Sequence, residues 1–177
     1  MEHVGHRLGV GHRSVERGGR PRDRGATTAT PDIPAAASNG AKALLAWTDT
    51  RNGFFNADIH GSFSPSTNFA ISQNFAVQSA PAAASNGTDF FVAWYDARTN
   101  AGVYGTRVRA SDGAPLDDVT TGIQVSSASA AVAPRASFDG SSYVVVCTTT
   151  RGLSMSFGCA PVTALSSTAP RRAPASP

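Results

Sequence analysis

Residues 81–100 read PAAASNGTDFFVAWYDARTN, and a near copy, PAAASNGAKALLAWTDTRNG, occupies residues 34–53. A third and more divergent copy, PRASFDGSSYVVVCTTTRG, begins at Pro134. The copies start 47 and 53 residues apart, a period typical of propeller blades and of solenoid units. Internal repetition is therefore the strongest signal in the chain.

Each repeat reads as four short strands joined by turns. Pairs of Asn or Asp with Gly follow the Pro-Ala segment and predict type I′ hairpins, because these residues tolerate positive φ angles. The pairs are Asn39-Gly40, Asn86-Gly87, Asp139-Gly140 and, later in the second repeat, Asp112-Gly113. Antiparallel strands are therefore expected throughout the repeats.

The strand after the first turn is apolar on both faces. In the second repeat Phe90, Val92 and Trp94 point one way, and Phe91 and Ala93 point the other. A strand of this kind is expected between two neighbouring sheets. We therefore predict an all-β fold, a partial β-propeller of roughly four-stranded antiparallel blades. A β-solenoid-like repeat array is the alternative, although its repeats are usually shorter.

One sequence pattern recurs within the repeats: Trp-x-Asp-x-Arg followed by (Ile/Val)-Tyr-Gly-x-Arg-Val. It is carried by Trp47, Asp49, Arg51, Trp94, Asp96, Arg98, Tyr104, Gly105, Arg107 and Val108. The first copy matches less completely, since Phe63 stands where Arg is expected. The unit resembles repeats of bacterial exported β-propeller-like proteins, which are mostly uncharacterised. The resemblance implies a propeller architecture and an extracellular or cell-envelope setting for the parent protein.

The Trp-x-Asp-x-Arg motif is the most obvious candidate for chemistry. An Asp and an Arg two residues apart on a strand share a face, where they could pair or hold a polar ligand. Because the motif recurs, every blade would contain it, whereas a catalytic site needs one asymmetric arrangement. The motif residues are therefore predicted to be structural, and no catalytic residue is assigned.

Two functions remain open from the sequence. The first is a fragment of a repeat propeller acting as a non-catalytic binding or scaffold module for an unknown ligand. The alternative is part of a sialidase-like propeller glycoside hydrolase, although the Asp-box of that family, Ser/Thr-x-Asp-x-Gly-x-x-Trp/Phe, is absent. Missing blades of a longer parent, or self-association, are the expected partners of such a fragment.

The charge distribution argues against nucleic acid as a partner. The basic groups concentrate at the two ends, whereas residues 31–146 carry six basic side chains and nine Asp. A nucleic-acid interface would need a basic stripe on the folded surface. No stretch of the sequence is close to the ~20 consecutive apolar residues of a membrane span. The N-terminus also lacks the apolar segment of a signal peptide.

Metal and cofactor signals are weak. Asp49, Asn52, Asn56 and Asp58 could offer oxygen ligands to Ca²⁺, but they lack the EF-hand spacing. The three N-terminal His residues lie in a Gly/Arg-rich segment, and no motif for an organic cofactor is present. The sequence therefore predicts no cofactor.

Three regions are expected along the chain. Residues 1–30 are predicted to be a disordered or non-native basic segment, residues 31–146 hold two blades and the start of a third, and residues 147–177 are predicted to be a disordered tail. Deleting one nucleotide from codons for Trp-Tyr-Asp-Asp-Ala-Arg yields Cys-Thr-Thr-Thr-Arg-Gly, the sequence of residues 147–152. The tail is therefore interpreted as frameshifted, with a natural Pro/Ser/Thr-rich tail as the alternative. Either origin argues against a disulfide between Cys147 and Cys159.

Overall fold

The computed structural model describes residues 32–64, 67–126, 131–151 and 154–157. They form three antiparallel sheets. Blade 1 contains β1 (Asp32–Ser38), β2 (Ala43–Asp49), β3 (Asp58–Ser64) and β4 (Thr67–Ser72); blade 2 contains β5 (Gln78–Ser85), β6 (Phe90–Asp96), β7 (Gly102–Val108) and β8 (Ile123–Ser126); blade 3 contains β9 (Ala131–Phe138), β10 (Tyr143–Arg151) and β11 (Ser154–Phe157). A short 3-10 turn, Phe54–Asn56, lies between β2 and β3. The prediction of an all-β partial propeller is confirmed.

The hairpins at the blade tips differ from the predicted type I′ turns. In these loops only the glycine has a positive φ, for example 89° at Gly40 and 88° at Gly87, whereas a type I′ turn needs a positive φ at both central residues. Each loop contains four residues rather than two. The Asn39 side-chain oxygen accepts hydrogen bonds from the backbone N–H groups of Ala41 and Lys42. Asn86 and Asp139 repeat this arrangement, because a short carbonyl side chain satisfies N–H groups that the ladder leaves open.

Two apolar layers separate the three blades. Phe90, Val92 and Trp94 pack against blade 1, and all three are fully buried. Phe91 and Ala93 pack against Tyr143 and its neighbours in blade 3. The predicted two-sided apolar strand is therefore confirmed, and β6 lies at the centre of the described structure.

The innermost strands lie next to one another, β1 beside β5 and β5 beside β9. Each contains one non-glycine residue with a left-handed φ: 50° at Ile33, 52° at Ala80 and 49° at Ala133. Each of these residues directly precedes the proline of its repeat. In β1 and β5 the residue lies within a shift in strand register, the mark of a β-bulge. The recurring bulge gives the three blades the same inner edge.

Strand β10 continues past residue 146, the predicted end of the patterned region, and reaches Arg151. It pairs with β9 on one side and β11 on the other. Cys147 is buried and disulfide-bonded, so the expectation that it forms no disulfide is wrong. The other cysteine of the chain, Cys159, lies outside the described residues, as do the predicted N-terminal segment 1–30 and most of the predicted tail. In the part of the chain that the structure describes, no helix is long and apolar enough to cross a membrane.

Candidate functional site

The Trp-x-Asp-x-Arg motif of blade 2 forms a closed network at the end of β6. Asp96 is fully buried and accepts hydrogen bonds from the Trp94 indole at 3.3 Å and the Arg98 backbone at 3.0 Å. The Arg98 guanidinium pairs with the same carboxylate at 2.5 Å. Gln78 from the neighbouring inner strand donates a fourth hydrogen bond at 3.1 Å. These contacts satisfy the carboxylate within its own blade.

Blade 1 repeats the network with more solvent around it. The Trp47 indole donates to Asp49 at 3.1 Å, and Arg51 pairs with that carboxylate at 2.7 Å. The Arg51 side chain is 31% exposed to solvent, whereas the Arg98 side chain is 17% exposed. The same motif therefore lies in a wetter environment in blade 1.

Both Asp residues of the motif are held as carboxylates. Burial by itself would raise the pKa of Asp96, but hydrogen bonds from Arg98 outweigh it and lower that pKa. Burial and Arg51 act in the same opposed way on Asp49, whose pKa falls far below its usual range. A carboxylate that stays ionised and saturated with donors is poorly suited to acid–base chemistry. These contacts support a structural role for the motif, which stays a prediction.

The remaining motif residues lie in β7. The Arg98 guanidinium stacks 3.9 Å from the centre of the Tyr104 ring, and the Tyr104 hydroxyl donates to the Asn100 carbonyl at 2.8 Å. A side chain on Gly105 would place its Cβ 2.4 Å from the Phe91 ring. Arg107 pairs with Asp117 at 2.7 Å. The structure therefore divides the motif among contacts within each blade and does not assemble it into one site.

The four candidate calcium ligands divide into two environments. Asn52, Asn56 and Asp58 line one cleft, whereas Asp49 is occupied by Arg51. The Asn52 amide donates to Asp58 at 2.8 Å, so this pair already satisfies itself. Among the described residues, no group of three or more His, Cys, Asp or Glu side chains could hold a metal ion.

The cleft itself was not identified from the sequence. It has a volume of about 470 Å³ and lies where the loop after β2, the segment between β4 and β5, and the loop before β8 meet. Seven of its eight lining residues have polar side chains, and the lining consists of Asn52, Asn56, Asp58, Gln73, Asn74, Phe75, Thr120 and Thr121. Hydrogen bonds from Asn74 to the Thr120 carbonyl at 3.0 Å and from the Gln73 backbone to Val119 at 3.0 Å join blade 1 to blade 2 along its floor.

Three phenylalanines lie at or beside this cleft and are exposed to solvent. Phe75 lines the cleft and is 99% exposed. Phe54 and Phe55 fall between the lining residues Asn52 and Asn56 and are 74% and 85% exposed. Exposed aromatic rings beside a polar cleft are typical of a binding surface. The adjacent Phe pair inside a Gly/Asn-rich loop was the sequence signal that could have indicated it.

Asp58 and His60 stand on β3 beside the motif of blade 1. Asp58 lies opposite Asp49 in the strand register, and His60 lies opposite Trp47. Both are buried, and neither ring nitrogen of His60 has a hydrogen-bond partner. Burial, assisted by the nearby Arg51 charge, lowers the pKa of His60. Blade 2 has Gly102 and Tyr104 opposite the corresponding motif residues, so this pair is particular to blade 1.

Comparison with known proteins gives one structural likeness. No family model matches the chain, and no curated protein matches it. Among solved structures, the chain is similar to a GH43 endo-arabinanase from Bacillus licheniformis, with a TM-score of 0.47 and 9% sequence identity. The alignment covers 73% of this chain and 51% of that one, so the chain spans about half the length of the protein it resembles.

This likeness corrects the functional expectation drawn from the sequence. The sequence favoured a non-catalytic binding or scaffold module. The solved structure that the chain resembles is instead a glycoside hydrolase, the class that the sequence analysis gave as the alternative. At this TM-score and identity, no residue role and no reaction is transferred to the chain. The geometry of the cleft has to carry any functional assignment.

Proposed function

We propose that the chain is part of a propeller glycoside hydrolase and that the cleft between blades 1 and 2 binds a saccharide. The observation that carries the proposal is the chemistry of the cleft lining. A sugar ring presents hydroxyl groups around its edge and C–H groups on its faces. Amides and a carboxylate match the hydroxyls, and an exposed aromatic ring matches an apolar sugar face.

The polar groups of the cleft are positioned for this task. The Asp58 carboxylate accepts hydrogen bonds from Asn52 at 2.8 Å and from the Asn74 backbone at 3.3 Å, which fixes its orientation. The Asn74 side chain is held by the Thr120 carbonyl. Groups that are ordered before binding lose less freedom when the ligand arrives.

Hydrolysis of a glycosidic bond requires two carboxyl groups, roughly 5–9.5 Å apart depending on the stereochemical course. Asp58 is the one carboxylate among the described residues that line the cleft. The Asp49 carboxylate opposite it is occupied by Arg51. We therefore propose that Asp58 faces the sugar and that its partner carboxylate is supplied by another residue of the full chain.

Saccharide binding and bond cleavage can be measured separately on the full chain. Arabino-, xylo- and cello-oligosaccharides are titrated by isothermal calorimetry, and new reducing ends are assayed on the corresponding polysaccharides. Binding of one class is expected, together with release of reducing ends that Asp58→Asn abolishes. Sugar binding without release of reducing ends would contradict the hydrolase class. If no sugar binds at millimolar concentration, the cleft is not a saccharide site.

A matched pair of variants tests the location of the site. Phe75→Ala removes an almost fully exposed ring, so the fold should be unaffected while affinity falls at least about tenfold. Leu45→Ala also removes an exposed apolar side chain, but Leu45 does not line the cleft, so this variant should leave sugar binding unchanged. Equal affinities of the two variants would place the site elsewhere.

A further inference from the structure

The second strands of the three blades are equivalent, and each has two faces with defined roles. The front face of a blade bears the residues equivalent to Val92 and Trp94, and the back face bears those equivalent to Phe91 and Ala93. The repeat spacing of 47 residues places Leu45 and Trp47 on the front face of blade 1. The spacing of 53 residues places Val144 and Val146 on the back face of blade 3.

The chain contains the same front-to-back contact twice. Leu44 and Ala46, on the back of blade 1, share an apolar layer with the front face of blade 2. Phe91 and Ala93, on the back of blade 2, share a second layer with Tyr143, Val145 and Cys147 on the front of blade 3. The buried residues of both layers therefore follow one rule, in which the back of each blade covers the front of the next.

Among the described residues, no blade covers the front face of blade 1 or the back face of blade 3. Leu45 is 47% exposed, whereas its equivalent Val92 is 0% exposed. At the other end Val146 is 47% exposed, whereas its equivalent Ala93 is 0% exposed. The two open surfaces are thus the two complementary halves of a contact that the chain already makes twice.

The two open faces differ in the charged groups that they carry among the described residues. The charged groups at the end of the blade 1 front face, Asp49 and Arg51, form an ion pair. In the equivalent pair of blade 2, Asp96 is fully buried and Arg98 is 17% exposed. On the back face of blade 3, Val144 and Val146 are apolar, and Arg135, the register partner of Val146, is exposed. Covering the front face of blade 1 therefore repeats an environment that the sequence already tolerates. At the back of blade 3 the contact also has to accommodate Arg135, which lines the cavity between the inner strands.

We propose that a second copy of this chain covers both faces. The back of blade 3 in one copy packs on the front of blade 1 in the other, and the reverse contact closes a ring. Head-to-tail contacts of this kind form closed rings when the rotation closes. Two copies would supply six sheets, within the ~4–8 blades of known propellers. The inner strands already converge on a shared cavity of about 330 Å³ lined by residues of β1, β5 and β9, where the ring axis would lie.

The oligomeric state of the full chain tests the proposal. Sedimentation velocity over a range of concentrations is expected to give a species of twice the chain mass. A monomer at all concentrations would mean that further repeats of a longer polypeptide, or another partner, cover the faces, and it would overturn the proposal. Open-ended polymers would also overturn it, because they show that the rotation does not close.

Two charge-introducing variants and a control locate the contact. Leu45→Glu and Val146→Glu each place a carboxylate at an exposed position, so each should fold, as checked by circular dichroism, and weaken association at least about 100-fold. Phe75→Glu, at a more exposed position in the cleft, should associate as the original chain does. A dimer that survives either of the first two variants would contradict the proposed faces.

Mixing the variants distinguishes a head-to-tail contact from a symmetric one. A Leu45→Glu chain keeps an intact back face, and a Val146→Glu chain keeps an intact front face. An equimolar mixture should therefore regain part of the dimer through one intact contact. If each face instead paired with itself, the mixture would gain no intact contact between unlike chains. The proposal is independent of sugar binding, since the cleft lies within one chain.

Discussion

Trp47 and Trp94 occupy the same position in successive blades, yet Trp94 is fully buried and Trp47 is only half-buried. Each indole donates to the Asp two residues later, at 3.1 Å in blade 1 and 3.3 Å in blade 2. The local contact is therefore the same, and the difference lies in what covers it. Blade 1 covers Trp94, whereas among the described residues no blade covers the front of blade 1.

The Asp–Arg pair of blade 2 should contribute more to stability than that of blade 1. Asp96→Asn leaves the Arg98 guanidinium largely buried without its partner, an expected loss of about 3–5 kcal/mol in the free energy of unfolding. Asp49→Asn is the matched control and should cost only about 1–2 kcal/mol, because Arg51 reaches solvent. Urea denaturation measures both, and equal losses would contradict the difference in burial.

The same pair sets part of the acid sensitivity. The pKa of Asp96 is lowered in the folded protein from its ordinary value of 3.8. The stability it provides is therefore present above pH 3.8 and is lost as the pH falls through the lower folded value. Asp96→Asn should flatten the dependence of stability on pH below about 4. An unchanged slope in urea denaturation at pH 4 and below would contradict this.

His60 should destabilise the protein in mild acid. Its pKa is lowered from the ordinary value of 6.5 by burial and by Arg51, while Asp49 and Asp58 oppose the shift. The unfolded chain therefore binds a proton more readily, and stability should fall by about 1 kcal/mol between pH 7.5 and 5.5. His60→Tyr, the residue found opposite the Trp of blade 2, should remove this loss. Urea midpoints at the two pH values provide the test.

Gly105 should not tolerate a side chain. Its Cβ would lie 2.4 Å from the Phe91 ring and 3.0 Å from the Val92 carbonyl, so Gly105→Ala should destabilise by about 1–3 kcal/mol through overpacking. Gly87→Ala is the control, because open space surrounds that position and only its φ of 88° resists substitution, at a cost of about 1 kcal/mol. Thermal unfolding compares them. A smaller loss at Gly105 than at Gly87 would show that Phe91 moves aside.

The two cysteines should show no reactive thiol until the protein is reduced. Protein produced in an oxidising compartment and denatured without reductant is expected to give no reactive thiol, because Cys147 is disulfide-bonded and the chain has two cysteines. After reduction, two thiols should appear. Two thiols before reduction would contradict the bond.

The gene's nucleotide sequence remains the test of the frameshift interpretation. The codons for residues 147–169 should yield the repeat in the alternative frame. Strand β10 reaches Arg151, and a strand can extend along its neighbour through backbone hydrogen bonds whatever the origin of its side chains.

The strand content and the blade order could be predicted from the sequence because they depend on local patterns. A strand such as β6, apolar on both faces, must lie between two sheets. The cleft could not be predicted in the same way. Its lining comes from loops separated by up to about seventy residues, from Asn52 to Thr121, and nothing in those loops is periodic. The four-residue hairpins were also missed, because the side chain of Asn39 rather than its φ angle shapes the turn.

The sequence by itself determined the repeat, the all-β blades and the recurring Trp-x-Asp-x-Arg network, since each depends on residues close together along the chain. Only the tertiary structure decided which of those networks is buried and which is open. The physical reason is that burial depends on the neighbouring blade and not on the strand itself. The same motif at Trp47 and Trp94 is therefore found in two different environments, because among the described residues a blade covers Trp94 and none covers the front of blade 1.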